Sequence, residues 1–373
     1  MLSYVSHDGA YGGPVAVARM QCEYLAKRGH EVHLVAGWDG VAQLDIPGVR
    51  VHLCRARRLP GLGMAGLISP YVWRTVARLG ATADVVHLHV ARDLVQMPSA
   101  SLVRRRGTVV LQAHGMIRPD HRVSARLVDG LATRPLYRAA DAHLVLTDDE
   151  RRDVPAVAGS VQGRIVSIKN AVPVPDVVAS WSEQAPRVLF LSRLHERKRP
   201  TAFVDMAAEA VRRGSRAVFE MYGPDEGELS AVLARIDKAA LQDRVAYRGA
   251  LSPGQVLPAL ASAQVFVLPS INEPFPMALL EAMSVGLPSI ITTRTGISAE
   301  LKTRGTAAVT DGTAEDMADA LIRLTDSEQA WTAASRSARA DIEHSFSCDA
   351  VVDTLEEVYQ DAVAARESSP VRH

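Results

Sequence analysis

The stretch "VFVLPSINEPFPMALLEAMSVGLPSI", Val265–Ile290, contains the pattern that decides the fold. Apolar, β-prone residues at its two ends indicate strands. Between them, the apolar run from Pro276 to Val285 is typical of a short and largely buried helix, with a proline where the helix begins and Gly286 where it stops. A strand, a helix and a second strand in this order predict a parallel sheet covered by helices.

Glu281 is the only charged residue in that apolar run. A buried carboxylate is unfavourable unless it is paired or hydrogen-bonded. The positions three and four residues away cannot supply a charge, since they are Met277, Ala278, Ser284 and Val285. We therefore predict that the partner of Glu281 comes from elsewhere in the fold, from water or from a ligand.

Both halves of the chain show the same alternation of apolar strands and amphipathic helices, which is typical of parallel sheets covered on both faces. The predicted strands are "LSYVSH", "EVHLVA", "DVVHLH", "TVVLQAH" and "AHLVLT" in the first half and "RVLFLS", "AVFEMYG", "RVAYRG", "QVFVLPS", "PSIITT" and "AAVTDG" in the second. Helices are predicted from Pro14, from Pro200 to about Arg213, after a cap at Thr313, and over much of 327–366.

These elements predict an α/β protein of two doubly wound, Rossmann-like domains with a cleft between them. Prolines cluster at 172–186, which is the best linker candidate. We place the first domain at 1–177, the second at 178–345 and a closing helical segment at 346–373.

Composition is that of a globular protein, with 47% apolar and 23% charged residues, and no window is apolar enough for a membrane span. No secretory signal is visible, and three scattered cysteines fit neither a disulfide framework nor a zinc site. We therefore expect a cytoplasmic protein.

Charge is distributed unevenly although the formal net charge is zero. Residues 1–177 carry 22 Lys and Arg against 15 Asp and Glu, and the remainder carries 20 against 27. Much of the basic excess lies in "RARRLPGLGMAGLI" at 55–68 and in Arg104–Arg106. This half is expected to face an anionic partner or a membrane surface, or to be a solvated face with a mobile loop. No aromatic ladder interleaves the arginines, which argues against nucleic acid.

Ligands of open parallel sheets bind beyond the carboxyl ends of the strands. Gly12 and Gly13 follow the first predicted strand, and they indicate either a diphosphate site at a helix start or a tight turn. Arg193 and Lys198 follow "VLFLS" and suit a phosphate, although a solvated basic loop fits them as well. The free amides of Met277 and Ala278 add a second anion site made of backbone.

Three histidines, His87, His89 and His114, lie on or just beyond apolar strands, where a structural role is the default. His114 is the exception, because His-Gly at a strand end places the imidazole at the predicted cleft with little backbone cover. The acidic run at 148–150 is interpreted as a helix cap rather than a metal site, and neither a metal-ligand spacing nor a nucleophile elbow occurs.

These residues resemble the retaining nucleotide-sugar glycosyltransferases of family 4, enzymes of the GT-B fold, over almost the whole chain. The Glu-x7-Glu signature of the family matches Glu273 and Glu281, and its "GRL…K" phosphate loop matches "SRLHERK" with Arg193 and Lys198 in register. "GG" at 12–13, "HG" at 114–115 and the closing segment "FSCDAVVDTLEEVYQDA" also match.

The resemblance implies a role for each matching residue. Glu281, Gly223 and Arg248 would bind the nucleoside, and Glu273, Phe275 and Pro276 the transferred sugar. The donor diphosphate would be held by Gly12, Gly13, Arg193, Lys198, Met277 and Ala278. His114 and Glu273 would be the catalytic residues. Transfer would proceed with retention, without a metal and without a cofactor other than the nucleotide sugar itself.

One departure from the family pattern concerns the donor sugar. The signature commonly has glycine where this chain has Pro274 and Pro276. Two prolines stiffen the loop and remove two N–H donors, so we expect the preference for the donor sugar to differ from that of common relatives.

Other readings of the sequence remain open. A non-hydrolysing nucleotide-sugar epimerase shares the fold, and a nicotinamide-dependent oxidoreductase is supported by the glycine turn and Asp39, although the G-x-G-x-x-G pattern is missing. A non-catalytic binding protein on the same scaffold is the third alternative. For the transferase, the acceptor is expected to be a sugar, a lipid-linked molecule or a small molecule. An anionic or lipid-linked acceptor would go with weak peripheral association at the inner membrane face.

Overall fold

The computed structural model describes residues 2–5, 12–60, 66–103, 107–120, 126 and 128–368. Three parts of the chain that the sequence singled out lie outside the described residues. They are the glycine loop at 6–11, the middle of the basic loop at 61–65, and Arg104–Arg106.

The first part of the chain forms two parallel sheets and a short antiparallel pair. Its strands are β1 (Leu2–Val5), β2 (Val32–Trp38), β3 (Val49–Arg55), β4 (Arg57–Arg58), β5 (Leu67–Ile68), β6 (Val85–His89), β7 (Thr108–Gln112), β8 (Ala142–Val145) and β9 (Arg164–Ser167). Its helices are α1 (Gly12–Lys27), α2 (Pro70–Leu79), α3 (Gln96–Val103), α4 (Arg134–Ala139) and α5 (Asp148–Ala158), with a π-helical segment at Asp129–Thr133. The parallel sheets have the orders β1-β2-β3 and β6-β7-β8-β9.

The second part forms one six-stranded parallel sheet. Its strands are β10 (Arg187–Leu191), β11 (Val218–Tyr222), β12 (Val245–Tyr247), β13 (Val265–Leu268), β14 (Ser289–Thr292) and β15 (Ala308–Thr310). Its helices are α6 (Pro200–Arg212), α7 (Leu229–Lys238), α8 (Pro253–Ala261), α9 (Met277–Ser284), α10 (Ser298–Arg304), α11 (Ala314–Thr325) and α12 (Glu328–Asp341), with a 3₁₀ turn at Glu196–Lys198 and a π-helical segment at Ile342–Phe346. The chain closes with α13 (Cys348–Glu367).

The described chain divides into two compact units. Unit 1 comprises Met1–Asn170 together with Cys348–His373, and unit 2 comprises Ala171–Ser347. Helix α13 thus belongs to the first unit by its contacts, although it follows the second unit in sequence. The parallel sheets flanked by helices confirm the predicted α/β class.

The strand order of unit 2 reverses at one point. From β10 the chain adds β11 and then β12 on one side, and it places β13, β14 and β15 on the other, giving the order β12-β11-β10-β13-β14-β15. In open parallel sheets the crevice at such a switch point is where ligands bind. The loops that follow β10 and β13 therefore mark the place to look for a site in unit 2.

Helix ends follow the local sequence. Thr313 accepts a hydrogen bond from the amide of Asp316 and caps α11 as predicted. Helix α9 occupies the run quoted at the outset, and Gly286 follows it with a left-handed φ of 71°. The start of α1 differs from the prediction, because the helix begins at Gly12 rather than at Pro14. Proline is tolerated in a first turn, whose amides have no helical partners.

The middle strands of the unit 2 sheet are buried on both faces, as in other parallel sheets with helices on each side. Every residue of β13 and of β14 is buried. The rings of Phe190 and Phe203 lie 5.6 Å apart between centroids and those of Phe203 and Phe219 lie 6.0 Å apart, which packs α6 against the sheet. This packing holds the loops at the strand ends in fixed positions. Among the described residues, no helix combines the length and the apolar character needed to cross a bilayer.

Candidate functional site

The loop after β10 brings two basic residues to the switch point of unit 2. Its backbone is tied to the neighbouring strand end, since the amide of Ser192 donates to the carbonyl of Tyr222 at 3.0 Å and the amide of Leu194 to that of Pro224 at 2.8 Å. Arg193 lies between these bonds with 54% of its side chain exposed. The 3₁₀ turn that follows then turns Lys198 inward, where it is buried.

Lys198 and Glu273 form a buried ion pair between the loops after β10 and β13. The ammonium group of Lys198 donates to Oε1 of Glu273, and only 11% of each side chain is exposed. Burial lowers the pKa of Lys198, and the neighbouring carboxylate opposes that shift. Oε2 of Glu273 is buried without a hydrogen-bond partner in the part of the chain that the structure describes. That oxygen is available to a ligand hydroxyl, since buried acceptors are seldom left unpaired.

The backbone around Glu273 is held by the loop after β14. Asn272 has a left-handed φ of 53°, and its amide donates to the carbonyl of Arg294 at 3.0 Å. The amide of Gly296 donates to the carbonyl of Glu273 at 2.8 Å. A Cβ at Gly296 would lie 2.3 Å from the carbonyl oxygen of Pro274, so only glycine allows this close approach. Both loops are therefore fixed before any ligand binds.

The amino end of α9 presents backbone amides next to this loop. Pro276 stands at the cap position, and its carbonyl accepts from the amides of Leu279 at 3.2 Å and Leu280 at 3.4 Å. The amides of Met277 and Ala278, the first two of the helix, have no helical partner by their position. Together with the helix dipole they favour an anion at this end.

Glu281 lies one turn into α9 and lines a pocket of about 280 Å³. Arg193, Gly223, Leu251 and Ala278 line the same pocket. Burial raises the pKa of Glu281, and among the described residues its carboxylate makes no hydrogen bond or ion pair. The sequence predicted that the partner of this carboxylate lies beyond its own helix. The structure leaves the pocket as the place for that partner.

Gly223 closes the other side of the pocket. A Cβ at this residue would lie 1.9 Å from the carbonyl oxygen of Ser192, and φ is 143°, so no side chain fits. The hydroxyl of Tyr247 donates to the Gly223 carbonyl at 2.8 Å. Glycine here lets the strand-end loops of β10 and β11 approach each other closely, which shapes the pocket.

Three predicted site residues of unit 2 lie differently. Arg248 is not among the lining residues of the pocket, and its guanidinium instead donates to Glu220 at 3.4 Å. The ring of Phe275 is half-buried with its centroid 6.2 Å from that of Phe346, and Pro276 is buried. These contacts give Phe275 and Pro276 a packing role in holding the loop.

In unit 1, Gly12 and Gly13 form the first turn of α1, followed by Pro14. The two glycine amides have no helical partner by their position at the helix start, and proline has no amide to lose. Of the two roles that the sequence left open for these glycines, this arrangement favours an anion site over a tight turn. The sequence placed both glycines before the helix, whereas the structure places them in its first turn.

His114 lies just beyond β7 in a left-handed conformation with φ of 51°. Its Nε2 is 2.7 Å from Nδ1 of His89, and the two rings are stacked at 5.0 Å. His89 stacks in turn on His87 at 4.6 Å, and Nδ1 of His87 lies 2.8 Å from the hydroxyl of Tyr359 on α13. Burial lowers the pKa of His114 to about 4, so the imidazole is neutral near pH 7. Among the described residues its Nδ1 makes no hydrogen bond, so this ring nitrogen is left for a ligand.

Glu150 is a site-supporting residue that the sequence did not identify. It stands in the first turn of α5, capped by Thr147, and its Oε1 accepts a hydrogen bond from the amide of Gly115 next to His114. Its Oε2 accepts from the amide of Leu146 at 2.5 Å. The run at 148–150 was predicted to be a helix cap, and a glutamate three residues after a capping threonine was the visible signal. The contact with Gly115 crosses between two strand ends and cannot be seen in the sequence.

In the described part of the chain, no group of three or more His, Cys, Asp or Glu residues is placed so that it could hold a metal ion. Cys22, Cys54 and Cys348 are free thiols. Basic side chains and backbone amides are the groups of the described residues that can stabilise an anion at this site.

Comparison with known proteins identifies the two halves separately. The family model described as "Glycosyl transferase 4-like domain" matches residues 12–171, and that described as "Glycosyl transferases group 1" matches residues 185–327. The chain is 22% identical over 370 residues to N-acetyl-alpha-D-glucosaminyl L-malate synthase of Bacillus anthracis, covering 94% of each chain.

Two further relatives cover almost the whole chain. D-inositol 3-phosphate glycosyltransferase of Paenarthrobacter aurescens is 28% identical over 400 residues, covering 95% of this chain and 94% of that protein. The structure of Anabaena HepE in complex with UDP and glucose superposes with a TM-score of 0.66 at 15% identity, covering 96% of this chain and 98% of that one, which shows a shared fold. With both halves matched, the chain belongs to the group 1 glycosyl transferases of the GT-B fold.

Proposed function

We propose that the chain transfers a sugar from a nucleoside-diphosphate sugar to an acceptor hydroxyl, with retention at the anomeric carbon and without a metal ion. The observation that carries this proposal is the pocket of unit 2. It combines Glu281, a half-buried carboxylate without a partner among the described residues, with a cation, Arg193, and with the start of α9 at Ala278.

The pocket, together with the neighbouring Lys198–Glu273 pair and the first turn of α9, suits the parts of the donor. The Glu281 carboxylate accepts hydrogen bonds from the two ribose hydroxyls, which supply the missing partner. Arg193 holds the diphosphate with two parallel N–H donors of its guanidinium, and Lys198 holds it with a point charge. The amides of Met277 and Ala278 add the donors of a helix start. Oε2 of Glu273, buried and unpaired among the described residues, accepts from a hydroxyl of the transferred sugar. The UDP bound in the HepE structure supports this class of donor.

The reaction breaks the bond between the anomeric carbon and the diphosphate oxygen and forms a bond from that carbon to the acceptor oxygen on the same face. The acceptor proton moves to the leaving diphosphate. Negative charge grows on the diphosphate in the transition state, where preorganised cations and amides are most effective. Those donors take the place that a metal fills in other transferases. His114 and the Gly12–Gly13 turn remain predicted donor contacts from unit 1.

For the acceptor we propose a small anionic molecule bound by unit 1. Residues 1–177 carry 22 basic against 15 acidic residues. The names of two relatives each contain an anion, malate in one and inositol 3-phosphate in the other. A positive surface raises the local concentration of such an acceptor.

A panel of nucleoside-diphosphate sugars in a thermal-shift assay tests the donor half of the proposal. The true donor should raise the melting temperature, because a ligand that binds only the folded state stabilises it. Glu281→Ala should abolish the shift for the diphosphate sugar. Ser284→Ala is the matched control, since Ser284 is buried on the same helix and does not line the pocket.

Product analysis tests the reaction itself. Incubation of the stabilising donor with inositol phosphates and hydroxy acids, in the presence of a chelator, should yield a product with the donor's anomeric configuration by NMR. An absence of binding to every nucleotide and nucleotide sugar would refute the proposal. If the donor is epimerised and no sugar is transferred, the chain is an epimerase and not a transferase.

A further inference from the structure

The guanidinium of Arg193 is held by one acidic residue. Its Nη1 donates to both carboxylate oxygens of Glu226, at 2.7 Å and 2.8 Å. Within the described residues no other bond of this guanidinium is formed, so Nε and Nη2 remain unengaged. Because the guanidinium is planar and rigid, fixing Nη1 on one side fixes the direction of the opposite edge.

Glu226 itself stands on a loop that cannot shift freely. Its amide donates to the carbonyl of Leu194 at 3.1 Å, and Leu194 and Asp225 form a parallel bridge. Asp225 accepts from the amides of Gly227 at 2.8 Å and Leu229 at 3.1 Å, which joins the loop to the start of α7. Both partners of the ion pair thus rest on backbone that is fixed by hydrogen bonds. The pair itself is exposed, with 54% of the Arg193 side chain and 34% of the Glu226 side chain accessible to solvent, so its effect lies in orienting the guanidinium and not in stabilising the fold.

The free edge of Arg193 is the edge that a phosphate requires. An Nε–H and Nη2–H pair forms the two parallel donors of a bidentate bond to an anion. Arg193 lines the pocket that also contains Glu281, whereas Glu226 does not line it. The carboxylate therefore holds the arginine from outside the pocket.

We propose that Glu226 is a positioning residue, which orients Arg193 so that its Nε and Nη2 edge is presented to the donor diphosphate. This inference rests on the proposed function, since it requires a diphosphate in the pocket of unit 2. Arginine loses considerable side-chain entropy when it is immobilised by a ligand. With Glu226 in place, that entropy is lost on folding and not on binding, which raises the affinity for the diphosphate.

A competing role for the same pair is a latch, in which Glu226 occupies Arg193 and must be displaced by the diphosphate. The two roles predict opposite effects of removing the carboxylate. If Glu226 is a latch, its removal should let the diphosphate bind more tightly. If Glu226 is a positioning residue, its removal should weaken diphosphate binding, although one negative charge near the anion has been removed.

Isothermal titration of the full chain with uridine, guanosine, adenosine and thymidine diphosphates, and with the matching nucleosides, separates these cases. Glu226→Ala should weaken binding of the preferred diphosphate roughly fivefold, the effect of mobilising one long side chain. Its nucleoside should bind as before. Glu226→Gln keeps one acceptor oxygen for Nη1 and should restore most of the affinity. Asp243→Ala, which removes an exposed carboxylate elsewhere in unit 2, controls for charge.

The double variant Arg193→Ala with Glu226→Ala should bind the diphosphate as Arg193→Ala alone does, because the effect of Glu226 passes through the arginine. Equal or tighter binding of the diphosphate by Glu226→Ala would overturn the positioning role while leaving the proposed function standing. A parallel loss for nucleoside and diphosphate would also overturn it, since this indicates a general structural defect. If the wild-type chain binds none of the four diphosphates, the proposed function fails and this inference fails with it.

Discussion

Lys198 and Glu273 are each other's only charge partner among the described residues, in a place where water has little access. Replacing Lys198 with Met should destabilise unit 2 by about 3–5 kcal/mol, because the Glu273 charge stays buried without compensation. Hydrogen exchange of unit 2 amides in increasing urea measures this loss. The double variant Lys198→Met with Glu273→Gln should recover most of the stability but no transfer activity. Equal stability of the single and the double variant would contradict the ion pair.

His143 is a second residue whose burial has a measurable consequence. It lies on β8 with both ring nitrogens buried and unpaired among the described residues, and its ring stacks on Tyr137 at 5.3 Å. Burial lowers its pKa from 6.5 to about 4. The folded state therefore resists a proton that the unfolded state accepts. Stability is full above pH 6.5 and falls as the pH drops toward 4.

His143→Phe should remove this acid sensitivity while keeping the stacked ring. Between pH 7 and pH 5 the variant should lose about 2 kcal/mol less free energy of unfolding than the wild-type chain, by proton linkage at one site. Hydrogen exchange of the β7 and β8 amides at the two pH values measures it. His114 has a similar shift and remains in both proteins, so only the difference between them reports on His143. An identical pH profile would show that folding does not lower the pKa of His143.

At the scale of elements, the pocket depends on the contact between the loops after β10 and β11. Gly223→Ala should push these loops apart, since the new Cβ would lie 1.9 Å from the Ser192 carbonyl oxygen. We expect loss of nucleotide binding together with destabilisation of at least about 2 kcal/mol. Gly254→Ala, in the first turn of α8, is the matched control, because its Cβ would meet nothing within 4 Å. Retained nucleotide affinity in Gly223→Ala would contradict the role of this contact.

The sequence predicted the elements with strong periodicity and clear ends. Helix α9 and the Thr313 cap lie where the proline, glycine and capping patterns placed them. Strands β3 and β9 were missed, because Val49–Arg55 and Arg164–Ser167 have no buried residue and are partly polar. Such strands are stabilised by pairing with a neighbour and not by their own pattern.

The contacts of the site were less visible in the sequence than its residues. Arg193, Lys198, Glu273 and Glu281 could be named from strand ends and from the family signature. The pairing of Lys198 with Glu273 and of Arg193 with Glu226 could not, since each pair spans loops that follow different strands. Nothing in a one-dimensional pattern reports which side chain a loop residue reaches.

At the scale of the whole molecule, unit 1 is built from two distant parts of the chain. Helix α13 buries apolar side chains against it, namely Val351, Val352, Leu355, Val358 and Ala362. Arg28 of unit 1 donates to Asp353 at 2.6 Å and to Glu356 at 2.7 Å, so the helix is also fixed by charge. Unit 1 therefore reaches its full stability only after the end of the chain has been added.

A chain that ends at Ser347 should have an intact unit 2 and a destabilised unit 1. Five buried aliphatic side chains correspond to about 5–10 kcal/mol of lost burial, and this range is an upper estimate. Hydrogen exchange followed by mass spectrometry should show faster exchange in β6, β7 and α1 and unchanged exchange in β10 and β13. A chain that ends at Ser368 is the control, since it retains all of α13. Unchanged protection of α1 in the shorter chain would mean that unit 1 folds without its last helix, and the boundary of the unit would then lie at Asn170.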